Sequence, residues 1–69
     1  MDENSKNVAL NHWRRKVIKS IKAGKGAKVI YEDDKISPAL HAAISARLEN
    51  VKSIEEAQRL FASAWNGYP

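Results

Sequence analysis

Chemistry along this chain is concentrated in its cations. Arg14, Arg15, Lys16, Lys19, Lys22, Lys25 and Lys28 fall within fifteen consecutive positions, and no Asp or Glu interrupts the stretch from Asn4 to Tyr31. At 100° per helical residue, Arg15, Lys19 and Lys22 share one face. His12 and Lys16 lie beside them, and Arg14 sits at the border of the opposite, apolar stripe. Cations about one turn apart can contact successive phosphates, releasing counterions, so affinity falls steeply with salt. Arginine on such a helix can also reach base edges in a major groove, yet no set of side chains here spells a base-reading pattern. These residues point to phosphate neutralisation on a nucleic acid, duplex DNA ahead of RNA, with all seven cations as the surface. The alternative is the ordinary wet side of an amphipathic helix.

Other chemistries find less support. The loop Lys22-Ala-Gly-Lys-Gly-Ala-Lys28 can wrap a phosphate with backbone amides and lysines, but it lacks the Gly-x-x-x-x-Gly-Lys-Ser/Thr spacing of a P-loop. Trp13 and Tyr31 stand beside cations, where aromatics can stack unpaired bases; their apolar neighbours favour core packing instead. His12 and His41 form no metal-ligand spacing, and the absence of cysteine removes thiolate sites and disulfides. Glu32-Asp33-Asp34 lacks the alternating ligands and glycine of a calcium loop and reads as a solvated turn. A triad from Ser45, His41 and Asp34 has no local support, so no enzyme activity, cofactor or metal is expected.

A second reading is a protein-interaction module: an adaptor, an inhibitor or a homodimer. Phe61, Trp65 and Tyr68, with an alanine-rich helical edge, would form the contact, aromatics being favoured at interface centres. The competing assignment for Phe61 and Trp65 is the chain's own core. The basic helix could equally seek an acidic protein groove. It also has the amphipathicity to lie on an anionic membrane, but its apolar face is needed inside the domain.

The elements that must position these residues fit a small, mainly α domain. With 69 residues the chain is a single small domain over 1–69, its first four residues frayed. Ten of its thirty apolar residues are alanine, so the core is lean and a partner could complete it. No apolar run is long enough to span a membrane and no signal-like segment follows the acidic start; a cytoplasmic protein is expected. The net charge of +4 divides unevenly. Residues 1–28 carry eight cations against two acids, and residues 29–69 four cations against six acids.

Leu10, Trp13, Val17 and Ile21 recur at helical spacing and predict a first helix over about 5–23, capped by Asn4 or Ser5 and stopped at Gly24. Val29-Ile30-Tyr31 predicts a short strand or ribbon at 28–32, which Asp33-Asp34 could fold back on Lys35-Ile36. Ser37-Pro38 opens a second helix over about 38–50, with Asn50 suited to a left-handed end. Ser53 and Glu56 form a capping box for a third helix over about 54–65. The last two helices should pair, with the first laid across them. Glu55 and Glu56 at the start of the third helix disfavour a helix-turn-helix groove reader. The order of strand and two helices also fits a ribbon-helix-helix dimer, but Glu32-Asp33-Asp34 is poorly suited to a groove. Strand pairing between two chains remains open.

Overall fold

The structure is a computed structural model that describes residues 3–65, with side chains described for 5–64. It consists of three helices: α1 (Glu3–Lys22), α2 (Pro38–Leu48) and α3 (Ile54–Trp65). The mainly α, three-helix class follows the hydrophobic periodicity of the sequence. Leu10, Trp13 and Val17 from α1, Leu40, Ile44 and Leu48 from α2, and Ala57, Phe61 and Ala64 from α3 fill one buried core. Ala9, Ala27 and Ile36 complete it, with Ile21, Val29, Tyr31, Val51 and Leu60 packed around its margin.

The helix ends are set by local chemistry. Gly24, at φ +76°, closes α1 in a Schellman arrangement: its N–H donates to the Ile21 carbonyl (3.0 Å) and the Lys25 N–H to the Ser20 carbonyl (2.9 Å). Ser37 caps α2, its Oγ accepting from the Leu40 N–H at 3.3 Å, with Pro38 in the first turn. At the far end Asn50 is not left-handed, because no described non-glycine residue has positive φ. The last turn tightens instead, the Asn50 and Val51 N–H groups donating to the Arg47 and Leu48 carbonyls at 3.0 and 3.2 Å. Ser53 Oγ accepts from the Glu56 N–H at 3.2 Å, and the Glu56 carboxylate takes the Ser53 hydroxyl and the Lys52 N–H, each at 3.3 Å. This capping box closes on Lys52 rather than on the Ser53 amide.

The last two helices pair as expected, but α1 lies across only one of them. α3 packs on both other helices, whereas no described Cα of α1 comes within 8 Å of one in α2. α1 therefore lies against α3 alone, and its link to α2 is made by side chains. Trp13 supplies that link: its ring is wholly buried, edge-on to Phe61 (centroids 5.6 Å) and stacked on His41 of α2 (4.9 Å).

No strand forms among the described residues, which corrects the ribbon expected at 28–32. The segment keeps a strand's alternation: Ala27, Val29 and Tyr31 face inward, while Lys28, Ile30 and Glu32 are exposed. It lacks a ladder because side chains take its inward carbonyls. Trp13 Nε1 donates to the Val29 carbonyl at 2.9 Å, and His41 Nε2 contacts the Tyr31 carbonyl at 3.1 Å. The turn at Asp33 does form, with the Ile36 N–H donating to the Asp33 carbonyl at 3.0 Å, but it sends Ile36 into the core rather than back along 29–31.

Candidate nucleic-acid interface

α1 presents its cations because the opposite face is consumed by the core. With Leu10, Trp13 and Val17 buried, the helical period turns His12, Arg15, Lys19 and Lys22 to solvent, and all four are exposed. The Schellman turn then carries Lys25 past the helix end, also exposed. Among the described residues no carboxylate lies within ion-pair distance of Arg15, Lys16, Lys19, Lys22 or Lys25. The result is a run of unneutralised positive charge along one side of the domain.

The seven candidates are not equivalent. Arg14 is half-buried and turned along its own helix, its Nη2 and Nε donating to Asn11 Oδ1 at 2.6 and 3.2 Å. Lys28 leaves the stripe for the start of the α2–α3 turn, where its Nζ lies 3.7 Å from Glu49 Oε1. The second pairing was invisible to a helical-wheel argument because it joins residues far apart in sequence; the first joins i,i+3 neighbours that the wheel sets side by side, although the bond itself is a rotamer choice. Lys16 stands over the Tyr31 ring, Nζ 5.8 Å from its centroid, within cation–π range.

Lys16, Lys19 and Lys25 line a shallow open groove between α1 and the 29–32 segment, whose other walls include Ser20, Ala23, Tyr31 and one acidic residue, Glu32. Tyr31 is therefore both a margin of the core and a wall of the basic groove, a double role that its position after Val29-Ile30 did not reveal. Its hydroxyl donates to Asp33 Oδ2 at 3.4 Å. Burial, with the neighbouring Asp33 carboxylate, pushes the phenol pKa above its ordinary value. Tyr31 thus stays neutral, and the positive charge of Lys16 beside it is unopposed by a phenolate. The Asp33 carboxyl is held below the usual carboxylate range, chiefly by the Lys35 N–H that donates to it at 2.9 Å.

For the second candidate surface, Phe61 is wholly buried against Trp13 and is not available to a partner. The Trp65 side chain and Tyr68 lie outside the described residues. The alanine edge of α2 is open, with Ala39, Ala42 and Ala46 exposed. Of the acidic triplet, Glu32 and Asp34 are exposed, while Asp33 is half-buried and opens the turn that runs to Ile36. No group of three or more His, Cys, Asp or Glu suited to a metal occurs among the described residues. Nor is any described helix long and apolar enough to cross a membrane. A scan against models of protein families finds no match, and searches of curated proteins and of solved structures return no similar chain.

Proposed function

We propose that this chain is a small non-enzymatic nucleic-acid-binding protein, an accessory or regulatory factor that neutralises phosphates with α1 and the loop after it. The observation that carries the reading is the outward row Arg15, Lys19, Lys22 and Lys25, with no carboxylate in ion-pair range among the described residues. Leaving four like charges unpaired disfavours the free protein slightly, and an anionic polymer relieves that repulsion while releasing its own counterions. Lys16 above Tyr31 adds a fifth cation at the groove, so the proposed contact is Arg15, Lys16, Lys19, Lys22 and Lys25. Arg14 and Lys28 contribute less, because Arg14 is turned onto Asn11 and Lys28 stands off the α1 row, beside Glu49. Duplex DNA is the preferred ligand, since a straight row on one helix follows a regular phosphate backbone.

The test is fluorescence anisotropy with labelled duplex DNA and single-stranded RNA at low salt, for the native chain and for R15E/K19E/K22E. The native chain should bind and the variant should not, with helicity unchanged because all three positions are exposed. Absence of binding by the native chain, or undiminished binding by the variant, overturns the reading. An acidic protein groove is the competing partner for the same cations, and displacement of bound DNA by heparin but not by a polyglutamate would exclude it.

A further inference from the structure

The segment Lys28-Val29-Ile30-Tyr31-Glu32 has one side that makes hydrogen bonds and one that makes none; at its start the Val29 N–H donates to the Ala27 carbonyl at 2.8 Å, an inverse γ-turn of the kind common at strand ends. Its inward residues Val29 and Tyr31 have their carbonyls occupied by Trp13 and His41. The backbone N–H and C=O groups of Lys28, Ile30 and Glu32 make no hydrogen bond among the described residues. In a chain with strand-like alternation these three residues share one edge, so the edge is a template for another strand. Neither helix covers it: shallow grooves flank Ile30, one toward Lys16 and Lys19 of α1, the other toward Ser45 and Ala46 of α2. Ile30 itself is 63% exposed, the most exposed large apolar side chain described.

We propose that this edge pairs antiparallel with the same segment of a second copy, about a two-fold axis at Ile30. The occupant follows from the sequence of the edge. In that register each Lys28 stands opposite Glu32 of the other copy, on both sides of the axis, and the two Ile30 side chains meet between them. Opposite charges and apolar pairs facing each other across strands are stabilising, and all three outward side chains find a partner. Glu32 has no ion-pair partner among the described residues, and the Lys28–Glu49 pair is solvent-exposed, so both are free to take part. A slip of one residue would set outward side chains against inward ones. An arbitrary peptide would satisfy the backbone but not the charge order, whereas a second copy satisfies both. The inference does not depend on nucleic-acid binding.

Sedimentation of the full chain from about 10 µM to 1 mM, the range in which a short ribbon interface associates, tests it. The native chain should shift from monomer to dimer. Ile30→Lys and Lys28→Glu should each weaken the dimer at least about tenfold by placing like charges opposite one another. The double variant K28E/E32K restores the opposite-charge order and should recover most of the association. All these positions are exposed, so circular dichroism should be unchanged throughout. A chain that stays monomeric over the whole range overturns the proposal. So does a dimer indifferent to Ile30→Lys, or a double variant as weak as K28E alone.

Discussion

Trp13→Phe removes a single N–H and part of one ring, and tests how the domain holds its basic groove together. The indole of Trp13 is wholly buried, meets Phe61 and His41, and donates Nε1–H to the Val29 carbonyl at 2.9 Å. Phenylalanine retains a ring among these neighbours but leaves that carbonyl without its donor. An unsatisfied, half-buried carbonyl costs about 1–2 kcal/mol, toward the lower part of the usual range. The lost ring volume adds about 1–2 kcal/mol, a fraction of what full truncation to alanine costs. The expected loss is about 2–4 kcal/mol. A domain of this length has about 3–10 kcal/mol in all, so the variant should stand near the limit of folding. Urea denaturation followed by circular dichroism measures the loss, and amide exchange locates it. Exchange should accelerate over 27–32 beyond what global destabilisation explains, since that segment has no ladder to hold it. A loss under about 1 kcal/mol, with exchange of the segment unchanged, would refute the claim that Trp13 fastens it.

Ser45 Oγ is buried on α2 without a hydrogen-bond partner, so Ser45→Ala removes a desolvated hydroxyl and raises helix propensity. It should stabilise the domain by about 0.5–1.5 kcal/mol in thermal melts, and a destabilised variant would show that the hydroxyl has a partner. Because folding lowers the Asp33 pKa, chiefly through the Lys35 N–H, its contribution is present above the unfolded carboxylate pKa and is lost as pH falls through the folded one. Asp33→Asn should therefore flatten the acid limb of the melting-temperature profile, and superimposable profiles would contradict the assignment. Folding raises the Tyr31 pKa, chiefly by burial, so its contribution is lost as pH climbs through the phenol range. Tyr31→Phe should flatten that alkaline limb in the same melts.

The helices were legible because their signals are local. Ser37-Pro38, the Ser53/Glu56 box and Gly24 act within a few residues, and Leu10–Trp13–Val17 repeats at helical spacing. The pairing of the last two helices was legible from their short connection, but that α1 would lie against α3 and not α2 was not, since both helices offer alanine and large apolar residues to the core. The strand propensity of Val29-Ile30-Tyr31 was read correctly as alternation and wrongly as a ladder, because its hydrogen-bond partners are side chains of Trp13 and His41. Among the cations, the exposed row could be placed from the helical wheel. The partner of Lys28 could not, as a contact with Glu49 has no local signature, whereas Asn11 stands one turn from Arg14 on the same helix. Tyr31 as a wall of the groove needed the fold.

The central claim is that five cations, not seven, meet phosphates. The salt dependence of duplex binding counts them most directly, because the logarithmic slope is about −0.9 per phosphate neutralised. Five contacts predict a slope of about −4.5, which is about a 500-fold loss of affinity from about 50 to 200 mM salt. Lys19→Gln should reduce the slope by about one unit, and Lys28→Gln should leave it nearly unchanged. A slope near zero, or equal effects of the two substitutions, would contradict the account.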